Sequence, residues 1–161
     1  PVIGNVLPVA ASNFITNIIV VMAQLAVIFG VAFYFFKEHL IVTIGSMSLV
    51  LVLITVVFIL LGMIIGSLFK SEETGAIATI SIGFLLLFFS SSILPIETLP
   101  KIIRTIASFN PFFMGETLLN KILLFQLPIS LFTQTLYMLT GYIAGLMIVL
   151  IVVKRLTKRS F

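Results

Sequence analysis

Long stretches without a charged residue alternate with short charged turns along this chain. Each stretch reaches or exceeds the about 20 residues that an α-helix needs to cross a bilayer. The first two stretches are separated by a charged turn at residues 37–39. The pattern predicts an all-α, polytopic integral membrane helix bundle with four transmembrane helices, at residues 9–36, 40–69, 75–94 and 129–153.

The segment 95–128 lies between the third and fourth stretches and is too long to be structureless in a compact protein. Its apolar residues recur with helical spacing, so that Ile102 and Ile106 fall on the face opposite Arg104. A residue before proline avoids helical geometry, which predicts a break in this segment. We therefore expect a short re-entrant or amphipathic helical hairpin, with breaks at Pro95, Pro100, Asn110 and Pro111.

Composition supports the membrane assignment. Of the 161 residues, 61% are apolar and 9% are charged, whereas a soluble domain carries about 25% charged residues. These values exclude a water-soluble enzyme and a disordered tail, and the absence of cysteine excludes a disulfide scaffold. The net charge of +4 does not indicate a nucleic-acid partner, because no basic stripe is interleaved with aromatic residues.

The basic C-terminal tail, residues 154–161, predicts the orientation in the membrane. It contains Lys154, Arg155, Lys158 and Arg159 directly after the last apolar stretch. Cytoplasmic segments next to spans carry an excess of Lys and Arg. We therefore expect a multi-pass protein of the cell membrane, surrounded by membrane lipids, with its C-terminus in the cytoplasm.

Three amide side chains form a polar face on the first predicted span. Asn13, Asn17 and Gln24 fall within about 40° of one another on a helical wheel. Such a face would be costly in contact with lipid. It predicts either hydrogen bonds to neighbouring helices or residues that line a substrate pathway.

Pairs of glycine four residues apart occur in the second and fourth predicted spans. Small residues at this spacing let helix backbones approach each other in a membrane. The pairs predict helix packing, either within one bundle or between subunits. They are Gly62 with Gly66, and Gly141 with Gly145.

The sequence contains no motif for catalysis, nucleotide binding or metal binding. No Gly-x-Ser-x-Gly, His-Glu-x-x-His or Gly-x-x-x-x-Gly-Lys pattern is present, and His39 is the single histidine. We therefore expect neither enzymatic activity nor a cofactor in this chain. An active pump would need an ATPase supplied by another subunit or domain.

One run of residues resembles a known family. The run SSSILPIETLP at residues 90–100, followed by Asn110-Pro111, is similar to a pattern near the end of the fifth span in permeases of type-2 ATP-binding-cassette exporters. In both, a final span and a basic tail follow. The resemblance implies that the chain is the C-terminal part of a six-span permease and carries the last four spans.

The resemblance also implies a mechanism and partners. A permease of this family exports its substrate by alternating access, with energy from a cytoplasmic ABC ATPase subunit, and it works as a homodimer or heterodimer of permeases. It further implies an apolar outer gate at Ile93 and Leu94. The alternatives are a passive channel and a membrane scaffold subunit that transports nothing.

Overall fold

The computed structural model of the chain describes residues 6–69, 71–91, 93, 98 and 100–158, and it describes the side chains of these residues except at 6–10, 36–41 and 158. This part of the chain is helical and contains no β-strand. Its elements are α1 (Val6–Leu68), α2 (Glu72–Phe88), α3 (Lys101–Ser108), α4 (Pro111–Phe125) and α5 (Thr133–Lys158), with a 3₁₀ turn at Ile129–Phe132. The prediction of an all-α fold is confirmed.

Helix α1 is not a straight rod. Asn13 and Ser67 line the same cavity, although 54 residues of straight helix would separate them by about 80 Å. Ala32 packs against a core cluster that contains Met47. The helix therefore folds back on itself between Ala32 and Met47 and forms two antiparallel arms, which we call the first arm (Ala11–Phe35) and the second arm (Val42–Leu68).

Three helical segments are long and apolar enough to cross a membrane. They are the first arm, the second arm and Ile129–Thr157, and they overlap three of the four predicted spans. Helix α2 covers part of the remaining one, but its 17 residues extend only about 25 Å. This is shorter than the hydrocarbon core of a bilayer, about 30 Å thick. Four transmembrane helices therefore stay a prediction.

The core lies where α4 and α5 pack against the second arm. Val50 from α1, Leu118 and Ile122 from α4, and Leu139 from α5 are almost completely buried in one cluster. A second cluster joins Leu60 and Ile64 of the second arm to Leu150 of α5. Many other large apolar side chains are exposed, which is expected where lipid takes the place of water.

Local chemistry explains how α2 begins and how α4 ends. The hydroxyl of Ser71 accepts a hydrogen bond from the Thr74 amide at 3.5 Å, and the acids Glu72 and Glu73 occupy the first turn of α2, where the helix dipole favours negative charge. Gln126 adopts the left-handed conformation after the last turn of α4.

The segment predicted to be helical after Pro100 is helical, as α3, but the face of α3 that is buried is not the predicted apolar one. Ala107 is buried and Ile103 is partly buried, whereas Ile102 is 75% exposed and Ile106 is 64% exposed. The apolar face that the sequence indicates is therefore left uncovered by the described helices. Several predicted features lie outside the described residues, namely Leu94, Pro95 and Arg159, together with the side chains of Lys37, His39 and Lys158.

Candidate functional site

The start of α4 is built by Asn110 and Pro111. Asn110 is the N-cap, and its side-chain oxygen Oδ1 accepts a hydrogen bond from the Phe112 amide at 2.9 Å. Pro111 occupies the first turn, where its missing N–H costs nothing. This Asn-Pro pair therefore ends the α3 turn and starts a new helix at a defined residue.

The same asparagine also holds the end of α2. Its Nδ2 donates to the carbonyl of Leu86 at 2.6 Å and to the carbonyl of Phe89 at 3.2 Å. The last carbonyls of a helix lack partners within the helix, and these two bonds satisfy them. The Asn110 side chain is only 7% exposed, so it ties two helix ends together in an environment with little water.

Three further polar contacts lie in the same region, which we call the α2–α4 junction (residues 86–91 and 109–116, with Tyr142). Glu116 of α4 accepts a hydrogen bond from the Ser91 amide at 3.1 Å through its Oε2. The Tyr142 hydroxyl of α5 donates to the Phe109 carbonyl. Ser90 is completely buried there and donates to the Leu87 carbonyl at 2.6 Å. The junction therefore connects α2, α4 and α5.

Some of the residues predicted for the hairpin breaks and the outer gate lie at or near this junction. Pro100 is the N-cap residue of α3, in an extended conformation, and Pro111 is buried at the first turn of α4. Ile93 is 48% exposed, two residues after Ser91. Its proposed partner Leu94, and the predicted break at Pro95, lie outside the described residues.

A cavity of about 470 Å³ lies between the ends of the two arms that are far from the point where α1 folds back. It is lined by both arms and by the C-terminal part of α5, and two of the three residues of the predicted polar face contribute to it. The lining residues are Asn13, Thr16, Asn17, Met63, Gly66, Ser67 and Lys154. We call it the polar cavity. Gln24, the third residue of the polar face, is exposed farther along the first arm.

The first arm as a whole is poorly covered. No residue in its most apolar 18-residue window is buried. Asn13, Asn17 and Gln24 are all exposed, so the described helices of this chain leave the polar face open.

Within the described chain, α2 approaches one of the predicted glycines, because a Cβ added at Gly75 would lie 3.7 Å from Gly66 Cα. A Cβ atom added at Gly62, Gly66, Gly141 or Gly145 would meet no other atom within 4 Å. Gly141 and Gly145 instead line a second cavity of about 400 Å³, together with Phe109 and Tyr142. The close approach occurs at Gly115, where an added Cβ would lie 2.1 Å from Cδ1 of Ile54.

Sequence reasoning missed Gly115, Glu116 and Lys154 as parts of these sites. Gly115 packs against Ile54, 61 positions away in the chain, and Glu116 accepts a hydrogen bond from Ser91, 25 positions away. No local sequence pattern indicates such pairs. The sequence places Lys154 only in the basic tail, although its position at the end of an apolar stretch is compatible with a cavity between helix ends.

Three long apolar helical segments and an uncovered polar face define the class of this protein as a multi-pass integral membrane protein. The family model described as ABC-2 type transporter matches residues 5–124, about three quarters of the chain. The chain belongs to this family, and it is a permease component of a transporter. No curated protein and no solved structure matches the chain.

Proposed function

We propose that this chain is the transmembrane permease component of an ATP-driven exporter. In this proposal it forms the substrate pathway by alternating access, while a separate ATPase supplies the energy. Membrane domains of the ABC-2 family typically pair with an ATPase, which supports the assignment of the partner. The chain would represent the last four spans of a six-span permease.

The uncovered polar face on the first arm is the observation that carries this proposal. Asn13 and Asn17 line the polar cavity, and Gln24 continues the same face toward the other end of the arm. Amide groups in contact with lipid would lack hydrogen-bond partners. A water-filled pathway between two permease copies, in a homodimer or a heterodimer, would provide those partners.

In this proposal α2 is the core of the third predicted span, residues 75–94. Its exposed apolar side chains, Ile77, Ile80 and Phe84, are suited to contact with lipid. The predicted span has the length that a crossing needs, although the helix itself ends at Phe88. Helices α3 and α4 would then form the re-entrant or interfacial hairpin, with the exposed Ile102 and Ile106 inserted among lipid tails.

The outer gate would be formed by Ile93 and Leu94, directly after the α2–α4 junction. Asn110 and Glu116 fix the chain up to Ser91, which limits the movement of the residues that follow. The junction packs against Ile54 and Phe58, near the middle of the second arm, and is separated from the end of α5 that carries Lys154. If the basic tail is cytoplasmic, as the positive-inside rule indicates, the gate faces the outside of the cell membrane.

A substitution on the polar face tests the proposed pathway. Asn17→Leu removes an amide that is exposed on the first arm, so packing within the chain should change little. We expect normal expression and a several-fold change in ATP hydrolysis by the permease reconstituted with its ATPase. Asn120→Leu is the matched control, because Asn120 is exposed on α4 and away from the polar cavity.

The two interpretations of the polar face predict different results. If Asn17 only bonds to a neighbouring helix, the substitution should cost about 0.6 kcal/mol of stability and leave turnover unchanged. Unchanged turnover for Asn17→Leu would therefore contradict its role in a pathway.

A further inference from the structure

The first arm carries hydrogen-bonding groups but no charge. Residues 1–36 contain no Asp, Glu, Lys, Arg or His, so the side chains of the whole arm, Ala11–Phe35, are neutral. Its polar face consists of the amides of Asn13, Asn17 and Gln24, and all three residues are exposed. A molecule that lies along this face therefore meets neutral donors and acceptors only.

The polar face lies beside the face of the arm that packs. Partly covered side chains mark the packing face, and from its start they are Phe14, Ile18, Val21 and Leu25. At 100° per residue, the three amides lie about 90° around the helix from these side chains. Met63 and Gly66 of the second arm line the polar cavity together with Asn13 and Asn17. The amides therefore border a groove between the two arms.

The three amides form a row along the helix. At 1.5 Å per residue, Asn17 lies about 6 Å along the helix axis from Asn13, and Gln24 lies about 10 Å farther. A small ion would contact one end of this row. A molecule with several hydrogen-bonding groups can contact all of it.

The carboxamides are the groups of this face that can serve a ligand. Each has a carbonyl that accepts and an NH₂ group that donates, and hydroxyl groups have the same double capacity. Thr16, next to them, already donates to the Ser12 carbonyl at 3.0 Å. Lys154 lines the polar cavity but already has an interaction partner, so it adds no unengaged charge.

An ionised group would lose more at this face than a neutral one. Moving a charge out of water is costly unless an opposite charge or several hydrogen bonds replace its hydration. The first arm offers no opposite charge. An uncharged hydroxyl gives up less hydration and regains its hydrogen bonds from the amides. The row of amides therefore discriminates against ions.

We propose that the polar face selects uncharged molecules with several hydroxyl or amide groups, either as the headgroup of a lipid or as a soluble molecule. This inference rests on the proposed function, in which the face lines the pathway, and it names the class of substrate. In the lipid case, the tails lie along Val27 and Val31. These side chains are 68% and 56% exposed on the same face of the arm, beyond Gln24.

The experiment is native mass spectrometry of the full-length permease, purified in detergent without nucleotide. Four lipids with identical dioleoyl chains are compared. Monogalactosyl diacylglycerol has an uncharged headgroup with several hydroxyls, phosphatidylglycerol is anionic, trimethylammonium-propane is cationic, and diacylglycerol has a single hydroxyl. We expect retention of the galactolipid to be at least about fivefold stronger than that of the other three, which corresponds to one net hydrogen bond.

Two variants each remove one amide from the row without a change in charge. Asn17→Leu and Gln24→Leu should each weaken retention of the galactolipid about three- to tenfold, the effect of one neutral hydrogen bond. Retention of the other three lipids should stay nearly unchanged. Gln24 lies outside the polar cavity, so Gln24→Leu tests the row even if Asn17→Leu does not fold. Asn120→Leu removes an exposed amide of α4 and is the control, which should behave as the wild type.

Methyl β-galactoside at millimolar concentration separates the two sources of the ligand. If it displaces the galactolipid from the wild type, the face accepts a soluble molecule. If it does not, the lipid tails are needed as well. Either result is consistent with selection of an uncharged group that carries hydroxyls.

Two results would overturn the proposal. Retention of any of the other three lipids at the level of the galactolipid would show that the face does not select an uncharged, hydroxyl-rich group. Equal retention of the galactolipid by Asn17→Leu, Gln24→Leu and Asn120→Leu would show that the amides do not contact the headgroup.

The proposed function is tested separately, because lipid retention is measured without ATP. A change of ATP hydrolysis in Asn17→Leu without lipid selectivity would reject only the class of substrate. Lipid selectivity without any change of ATP hydrolysis in Asn17→Leu would contradict the pathway itself.

Discussion

At the scale of single residues, Asn110 uses both ends of its amide to join two helices. The oxygen caps α4, and the nitrogen bonds to two carbonyls at the end of α2. A leucine has the same approximate volume but offers neither group. A buried group without a partner costs about 1–3 kcal/mol, so this single position holds a considerable share of the stability of the junction.

We predict that Asn110→Leu loosens the α2–α4 junction. The carbonyls of Leu86 and Phe89 and the amide of Phe112 would lose their side-chain partner. Hydrogen exchange of residues 86–91 and 109–126, measured on the permease in complex with its ATPase, should become faster. Basal ATP hydrolysis should rise, because the gate that we propose at Ile93 and Leu94 loses its support.

Two variants sharpen this test. Asn110→Asp keeps the oxygen that caps α4 but removes the donor to α2, so exchange should increase at residues 86–91 more than at the start of α4. Asn120→Leu is the control, because Asn120 is exposed on the same helix. Exchange that is fast throughout and identical in Asn110→Leu and wild type would mean that the segment is a mobile loop.

The limits of sequence reasoning also follow from individual residues. The break at Asn110-Pro111 could be predicted, because proline geometry and asparagine capping act within three residues. The bonds from Asn110 to α2, and from Glu116 to Ser91, join positions 21 to 25 residues apart. Such pairs depend on how the helices are arranged in three dimensions, which hydrophobic periodicity does not specify.

At the scale of helices, the closest packing occurs where α4 crosses the second arm. Gly115 is buried on α4, and the side chain of Ile54 occupies the space that a larger residue would need. The prominent glycine pairs in the sequence have no such neighbour within the described chain. The spacing of glycines therefore indicates possible contacts, whereas the facing side chain decides which glycine is required.

We predict that Gly115→Ala destabilises the bundle by about 1–3 kcal/mol, the usual cost of adding a methyl group to a well-packed core. The added Cβ would lie 2.1 Å from Cδ1 and 2.7 Å from Cγ1 of Ile54, so the Ile54 side chain must move. Thermal unfolding of the purified chain in detergent measures the effect. In an Ile54→Ala background, which lacks both clashing atoms, Gly115→Ala should cost less stability than it does in the wild type.

The control for this prediction is Gly30→Ala. A Cβ at Gly30 would meet no atom within 4 Å, and alanine favours the helix over glycine by about 0.5–1 kcal/mol. Gly30→Ala should therefore be neutral or stabilising. If both single variants unfolded at the wild-type temperature, the contact between α4 and the second arm would not be as close as the structure has it.

At the scale of the whole molecule, the four predicted spans illustrate what apolar length alone can establish. Three long helical segments could be predicted from apolar stretches alone. A helix that crosses a bilayer needs about 20 apolar residues, whatever it packs against. The two arms correspond to the two apolar stretches on either side of residues 37–39, although α1 is helical through these residues and has no non-helical turn there. The partners of α2 and of the polar face depend on chains and lipids that one sequence does not specify.

In the proposed function, an ATPase drives alternating access, so that the polar face of the first arm opens first to one side of the membrane and then to the other. The most direct measurement places a cysteine at Asn17 of the full-length permease, with any cysteines outside this chain replaced, because the chain itself has none. Labelling with a membrane-impermeant maleimide is compared from each side, with the ATPase free of nucleotide and with ATP trapped. Ile19→Cys, about opposite on the helical wheel and exposed, is the control.

We expect Asn17→Cys to be labelled from the cytoplasmic side without nucleotide and from the outside when ATP is trapped, while labelling of Ile19→Cys should not depend on nucleotide. Labelling of Asn17→Cys from both sides in either state would indicate a passive channel. Labelling from neither side would indicate a scaffold. Either result would contradict an ATP-driven exporter that works by alternating access.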